Sequence, residues 1–319
     1  MTDERKNALG ETFLRPAVLN TAALARLDTS ELRFLIHAAE HFIGAKALPE
    51  SGLPDKLPAF HAALLDRLNA AAALFIAYDE ATDTPFLDPD GRMWLFSNAD
   101  NALAAQEHYV QTVPLLIRKV LREEMAEAFA ELYTLGISDI LLDNGLDSVE
   151  ISRDDIIPPP DWTDTPAASV PVTNPKLMFA MLRFFQVVRS KTPAADLSVL
   201  EEAMLREVLA ARYLVPMRVI SAKPAPSGGH GAVTLEKGSQ MEFAQIRDAE
   251  KNPFQPAFTD WAEFRKAFDQ KTWGGYVASY DDLLTLSRSL SGIVVNCGGT
   301  PLRLDEHARQ RIETFRRVK

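Results

Sequence analysis

Cysteine is nearly absent from this chain of 319 residues, which contains only Cys297. A single cysteine excludes an internal disulfide and is typical of proteins from a reducing compartment. Long apolar runs are absent too: no stretch approaches 18 uncharged apolar residues, so no membrane-spanning helix is predicted. The opening residues, MTDERKNALGETF, mix charges and lack the apolar centre of a secretory signal. These absences predict a cytoplasmic protein without a membrane partner.

Basic residues are scarce in the first half of the chain. Residues 1–160 contain 13 Lys and Arg against 26 Asp and Glu, a net charge of −13, whereas residues 161–319 contain 21 against 18, a net charge of +3. An acidic first half repels phosphate backbones, so nucleic acid is not expected as a partner. The acid excess is explained by solubility or, alternatively, by a basic protein partner.

Motifs for phosphate binding and nucleophilic catalysis are missing. The glycine-rich segment PSGGHG at 226–231 is not followed by Lys-Ser/Thr, and neither G-x-G-x-x-G nor G-x-S-x-G occurs. Cys297 stands in a glycine turn with no histidine nearby in sequence, which favours a turn residue over a nucleophile. In LDPDG, Asp88 and Asp90 suggest a calcium loop, but Phe86 and Ser97 would then occupy positions that require acids. A type I turn is predicted there, and no cofactor is predicted for the chain.

The composition, 47% hydrophobic and 24% charged, is sufficient for a buried core in each of two ordinary domains. A proline-rich stretch, PPPDWTDTPAASVPVTNP, opposes regular structure because proline lacks the backbone N–H donor. The predicted organisation is an N-terminal helical extension at 1–50, a first module at 51–157, a linker at 158–175 and a second module at 176–319. The apolar face of the extension predicts that it docks on another part of the protein.

The two modules follow the same order of predicted helices and strands. Phe96–Asn98 aligns with Phe258–Asp260, each directly before a helix, and Ile140–Asp143 aligns with Ile293–Asn296. Gly145 then falls on Gly298. We interpret this as a diverged internal duplication; the alternative is two unrelated α+β domains. The predicted fold class is α+β, with two similar modules that each pack a mixed β-sheet against helices.

The second half, from about Tyr213 to Leu304, resembles the SseB family, named for enhanced serine sensitivity in bacteria. YLVPM, FQPAFTDWAEFRKAF and GIVVNCGG carry the resemblance, and LDPDGRMWLFSNADNA with DILLDNG make the first half look like a weaker copy. Cys297 stands where the family usually has proline, which predicts a less rigid turn. The matching residues, which we expect to be structural, are Val215, Pro216, Phe258, Thr259, Asn296 and Gly298.

The resemblance implies little about activity, because the family has no established active site. Its members are treated as cytoplasmic bacterial proteins of unsettled role, with links to secretion suggested for some. The predicted function is therefore a non-catalytic module that recognises an unknown protein partner or small-molecule ligand.

One pattern favours an enzyme instead: His37-x-x-Glu40-His41 spells H-x-x-E-H, the inverted zinc-protease motif. Placing Leu32 and Ile36 on the buried face of a helix puts both histidines on the opposite side. A zinc hydrolase would also need a third ligand, and the downstream acids Glu107, Glu123 and Glu124 lie in no recognisable motif. Solvated histidines are the favoured interpretation, and a metal-dependent hydrolase stays as the alternative.

Overall fold

A computed structural model describes residues 1–110, 112–145, 147–166, 169–190, 197–221 and 240–317. The chain forms two compact units: the first unit contains residues 1–133 and 137–159, and the second contains residues 134–136 and 160–319. The segment PSGGHG and the following residues AVTLEKG, which the sequence predicts to form a strand, lie outside the described residues. No helix in the described part of the chain is long and apolar enough to cross a membrane.

The first unit begins with helices whose ends agree with local sequence signals. They are α1 (Asp3–Leu9), α2 (Thr21–Leu24), α3 (Thr29–Gly44) and α4 (Leu53–Ala70). Asp28 caps α3: its carboxylate accepts from Glu31 N at 2.8 Å, and the Glu31 carboxylate accepts from Asp28 N at 3.1 Å. This reciprocal capping box satisfies two backbone donors that the first turn leaves open. α3 packs against α4.

The strands of the first unit form one mixed sheet. They are β1 (Ala73–Asp79), β2 (Thr84–Pro85), β3 (Met93–Phe96), β4 (Leu115–Leu121), β5 (Asp139–Leu142) and β6 (Val149–Ser152). Their order is β4-β1-β3-β5-β6, and β2 pairs with the end of β1. The β3–β5 pair is parallel and the other pairs are antiparallel. Three further helices complete the unit: α5 (Ala99–Tyr109), α6 (Met125–Thr134) and α7 (Arg153–Ile156).

The second unit also begins with a packed pair of helices, α8 (Pro175–Arg189) and α9 (Leu197–Ala210). Its strands are β7 (Tyr213–Ser221), β8 (Gln240–Phe243), β9 (Ile246–Arg247), β10 (Pro253–Ala257), β11 (Gly274–Ala278), β12 (Gly292–Val295) and β13 (Leu302–Leu304). One sheet has the order β11-β7-β8 and the other β13-β12-β10-β9. An antiparallel bridge between Leu214 and Phe258 joins β7 to the end of β10. The remaining helices are α10 (Trp261–Ala267), α11 (Tyr280–Leu286) and α12 (Glu306–Arg317).

The sheets of the two units have the same strand order, directions and register. β11-β7-β10-β12-β13 repeats β4-β1-β3-β5-β6, including the single parallel pair. In the β1–β3 pair Phe75 is opposite Phe96, and at the same place in the second unit Leu214 is opposite Phe258. In the parallel pairs Leu95 is opposite Leu142, and Ala257 is opposite Val295. The predicted α+β class with mixed sheets is confirmed, while descent of both units from one duplicated module remains a prediction.

Candidate functional site

The residues that carry the family resemblance meet at a buried turn of the second unit. Asn296 follows β12 with a φ of +56°, a left-handed conformation that asparagine tolerates. Its backbone N donates to Ala257 O at 2.9 Å, and its side-chain Oδ1 accepts from Thr259 N at 3.0 Å. Thr259 and Asn296 are at most 1% exposed. The amide of Asn296 therefore ties the end of β12 to the end of β10.

A second buried amide fastens the start of α8 to the same turn. Asn174 Nδ2 donates to Thr259 O at 2.6 Å and to Arg212 O at 2.7 Å, and Asn174 Oδ1 accepts from Arg212 N at 3.0 Å. Met178 of α8 places its sulfur 3.2 Å from Thr259 Oγ1 and 3.3 Å from Asn296 Nδ2. These side chains complete backbone hydrogen bonds, and none of them is an acid, base or nucleophile directed at solvent.

The other family-motif residues lie in closely packed surroundings. Val215 and Pro216 lie buried on β7, and Phe258 contacts Phe264 of α10 edge to face, with ring centroids 5.3 Å apart. At Gly298 an added Cβ would lie 2.8 Å from Lys266 Cβ, so α10 leaves no room for a side chain. Burial, followed by the nearby Glu263 carboxylate, raises the pKa of the Cys297 thiol. A raised pKa disfavours the thiolate and opposes a nucleophilic role.

The first unit has a charged version of this turn. Asp143, fully buried with a φ of +51°, accepts from Ser97 N at 2.8 Å and from Ser97 Oγ at 2.7 Å. Arg33 of α3 is buried beside it, with its Nε 3.3 Å from Asp143 Oδ2. The first unit thus has a carboxylate and a guanidinium where the second has the amide of Asn296 and the thioether of Met178. The buried Asp143 carboxylate requires a nearby cation, whereas the neutral Asn296 amide does not. This explains why Arg33 lies at the first turn and Met178 at the second.

The H-x-x-E-H motif lies on α3, but its members do not converge. His41 is exposed, whereas His37 is half-buried with its Nδ1 3.6 Å from the Glu40 carboxylate. Within the ranges that the structure describes, no three His, Cys, Asp or Glu side chains are grouped to bind a metal ion. The third ligand that the hydrolase alternative required is not found among them, so that alternative is not supported.

His37 instead lines an open cleft of about 450 Å³ in the first unit. The walls come from α3, α4, the residue before β3, β5, the β5–β6 loop and β6. The lining residues are Ile36, His37, Glu40, His61, Arg92, Leu141, Asn144, Ser148, Val149 and Glu150. Arg92 and Glu150 also border a neighbouring hollow of about 510 Å³, which adds the carboxylates Asp90, Asp139 and Asp155. We call the first of these hollows the polar cleft.

Arg92 is the only cation that lines the polar cleft in the described residues, and its guanidinium is held by acids. Nε donates to Asp88 Oδ2 at 2.9 Å, Nη2 donates to Asp90 Oδ2 at 2.8 Å, and Nη1 donates to the Glu150 carboxylate. The predicted LDPDG turn provides the first two of these acids, and Gly91 N donates to Asp88 O at 2.8 Å to close it. The hydrogen bonds that Arg92 donates to Glu150 and Asp88, above all to Glu150, and the charges of Asp88 and Asp90 raise the pKa of Arg92.

His37 lines the polar cleft and, among the described residues, has one ring nitrogen without a partner. Its Nε2 is shielded from solvent and has no hydrogen-bond partner in the described structure. Its Nδ1 lies 3.6 Å from the Glu40 carboxylate, which is too long for a hydrogen bond. His61 of α4 adds a second imidazole to the lining. The lining therefore combines two imidazoles, the Arg92 guanidinium and the Glu40 and Glu150 carboxylates.

Sequence reasoning identified the family-motif turn but missed Arg33, Asn174, His61 and Glu150. Arg33 sits on the apolar face of α3 between Leu32 and Leu35, where a charge signals a buried partner. That signal was present in the sequence and could have been used. No local pattern marks the other three, because their partners come from distant segments.

Comparison with known proteins agrees with the resemblance in the second half. Residues 194–308 match the family model described as "SseB protein N-terminal domain", which confirms the assignment made from the motifs there. The match covers α9 through the start of α12. No curated protein and no solved structure matches the chain.

Proposed function

We propose that this chain is a non-catalytic cytoplasmic bacterial protein that acts by binding, because residues 194–308 match the family model described as "SseB protein N-terminal domain". It recognises a protein partner or a small-molecule ligand through two related modules. The observation that supports this most directly is the family-motif turn: Thr259 and Asn296 are buried, and their side chains bond within the turn. A family signature with this geometry maintains shape and offers no group for a reaction.

The relation between the two modules is supported by their sheets. The order β4-β1-β3-β5-β6 in the first module and the order β11-β7-β10-β12-β13 in the second agree in strand direction and register. The turn after the parallel strand also agrees, with Asp143 in the first module and Asn296 in the second, both at positive φ. On this proposal the first module diverged by acquiring a buried ion pair and the polar cleft, which makes it the ligand-binding half.

Thermal denaturation in the presence of amino acids, amines and divalent metals tests the proposal. A compound that binds only the folded state at about 100 times its Kd adds about 2.7 kcal/mol of stability. For a domain of this size that corresponds to a rise in Tm of several degrees. We expect at least one organic compound to raise Tm without being consumed.

Measurements of metal content and of turnover can refute the proposal. Purified protein that holds one zinc per chain, loses it in the His37→Ala/His41→Ala variant and hydrolyses a peptide or ester would refute the proposal. Unchanged metal content in that variant, with no turnover, agrees with a binding protein.

A further inference from the structure

The outer edge of the first sheet leaves backbone hydrogen-bonding groups open. β4 has a sheet partner on one side only, since β1 is the one strand that pairs with it in the described structure. It spans seven residues, whereas the other strands at the ends of the two five-strand orders, β6, β11 and β13, span four, five and three. We propose that β4 accepts an extended, acidic segment of a partner protein as an additional strand. This inference rests on the proposed binding function and names its surface and its class of partner.

The register of β4 identifies the backbone groups that point outward. In an antiparallel pair, alternate residues bond to the partner strand, and the residues between them turn their N–H and C=O groups to the other side. Glu80 N donates to Pro114 O at 3.2 Å, and Arg122 N donates to Ala72 O at 3.1 Å. The residues two, four and six positions after Pro114 therefore also bond to β1. The residues between them, which point outward, are Leu115, Ile117, Lys119 and Leu121.

Side chains already occupy the two ends of this outward row. Gln106 of α5 donates to Leu115 O at 2.6 Å, and Leu121 N donates to the Glu124 carboxylate at 2.9 Å. Between these ends, the backbone groups of two residues have no hydrogen-bond partner in the described structure. They belong to Ile117 and Lys119, which are two positions apart, as the ladder of a further strand requires.

Basic side chains gather at this edge of an acidic unit. Arg118, Lys119 and Arg122 are three of the 13 Lys and Arg among residues 1–160. Arg118 is paired with Asp83, whereas Lys119 and Arg122 are exposed and form no ion pair within the described part of the chain. The next acids, at 123 and 124, lie beyond the end of β4. Carboxylates on a strand beside β4 would therefore meet unpaired cations, and opposite charges on neighbouring strands stabilise their pairing.

The same charges disfavour a second copy of this chain at the edge. Two β4 strands side by side would bring Arg118 and Lys119 of one copy close to the same cations of the other. Charged side chains on edge strands, lysine above all, commonly prevent such association. An acidic segment replaces this repulsion by attraction, so the edge selects its partner by charge.

The second unit contains a matched edge without these charges. Leu214 N donates to Phe258 O at 2.8 Å and Phe258 N donates to Leu214 O at 2.9 Å, so the residues on either side of Leu214 turn toward β11. The outward residues of β11 are then Gly275 and Val277, at the positions equivalent to the outward pair of β4. Neither has a charged side chain, so an acidic strand should not pair there.

Isothermal titration calorimetry of the full chain with synthetic peptides tests the surface. The probe is acetyl-TVEVEVT-amide, in which β-branched residues favour an extended chain and two carboxylates share one face. One control, acetyl-TVKVKVT-amide, reverses the charge. The other control is the probe with its three central residues N-methylated, which keeps both carboxylates and removes N–H donors from both of its edges. We expect one bound probe per chain, and each control should bind about tenfold more weakly or worse.

Amide hydrogen exchange followed by NMR identifies the edge that binds. With the probe bound, the outward amides of Ile117 and Lys119 should exchange about tenfold more slowly or slower still, because they donate to the added strand. The alternating amides of β4, which donate to β1 with or without the probe, should change much less. The outward amides of β11 should exchange at their original rates.

Variants at one outward position separate charge from strand pairing. Lys119→Glu should weaken binding of the probe about tenfold, because it turns an attraction into a repulsion, and Lys119→Gln about threefold. Lys119→Pro also removes the outward N–H but no hydrogen bond to β1, and it should weaken binding more than Lys119→Gln. The matched control, Lys176→Glu, reverses an exposed charge on α8 and should leave Kd unchanged. Retention of the circular dichroism spectrum and of Tm shows that each variant is folded.

Equal binding of the N-methylated probe would show attraction without strand pairing and overturns the inference. No heat with the probe, or slowed exchange at β11 in place of β4, overturns it as well. In those cases a rise in Tm with another compound leaves the proposed binding function standing with a different surface. Hydrolysis of the probe by the wild-type chain would instead refute the proposed function itself.

Discussion

Replacing Arg33 by methionine should destabilise the first unit by about 3–5 kcal/mol, the typical cost of removing one partner of a buried ion pair. The Arg33 Nε and Asp143 Oδ2 atoms are 3.3 Å apart, and both side chains are at most 5% exposed. At an effective dielectric constant of about 20, two unit charges at this separation attract by about 5 kcal/mol. Without Arg33, the carboxylate keeps its hydrogen bonds from Ser97 but has lost its cation.

The second unit provides the matched rescue. Its equivalent turn uses Met178 and Asn296, so Arg33→Met/Asp143→Asn recreates a neutral pair that this chain already contains. Asp143→Asn alone leaves a buried guanidinium and should cost about as much as Arg33→Met. The double variant should lose no more than about 2 kcal/mol, which gives a coupling energy of at least about 2 kcal/mol in the cycle.

Hydrogen exchange measured by mass spectrometry can report the first unit separately. Peptides from β3 and β5 should exchange about two to three and a half orders of magnitude faster in each single variant, since about 1.4 kcal/mol is a factor of ten. Peptides from β10 and β12, whose turn residues are unchanged, serve as the reference in the same sample. If the losses of the two single variants simply add in the double variant, the ion-pair reasoning is wrong.

Four further predictions concern the α3 cap, the Asn174 amide and the buried tyrosine hydroxyl groups. Asp28→Ala should destabilise α3 by about 1 kcal/mol in urea unfolding, whereas Asp28→Ser keeps the capping acceptor and should not; equal losses would contradict the cap. Asn174→Ala removes three hydrogen bonds and should cost about 3 kcal/mol. Asn174→Asp, which loses both donors, should not restore stability, and a wild-type urea midpoint in either variant would refute this role. Tyr213→Phe should cost about 1 kcal/mol because the Tyr213 hydroxyl donates to Val208 O, while Tyr280→Phe should be neutral or stabilising because the Tyr280 hydroxyl is buried without a partner in the described structure. Burial, then the Glu313 carboxylate, raises the pKa of Tyr280 to about 12. The unfolded chain therefore releases this proton first, and stability should fall by about 2–3 kcal/mol between about pH 10 and 12. Urea unfolding across this pH range should show a smaller fall in Tyr280→Phe, and an unchanged fall would refute the assignment.

Local signals in the sequence were sufficient for much of the secondary structure. The helix start at Asp28–Ser30 and the stop at Gly44 predict a helix in this segment, and α3 spans Thr29–Gly44. The aligned segments Ile140–Asp143 and Ile293–Asn296 lie at equivalent positions in the two sheets, at the ends of β5 and β12. α8 begins at Pro175, the last residue of the predicted linker, because proline is favourable at the first position of a helix.

The sequence by itself determined the caps, the strand segments, the turn residues and the resemblance of the second half, because each depends on residues within a few positions of one another. Tertiary structure alone decided what the side chains contact. Asn174 reaches Thr259 across 85 residues, and the polar cleft combines His37, His61 and Glu150 from two helices and a strand. Such contacts depend on how helices pack on a sheet, and the burial and charge that result are properties of that packing.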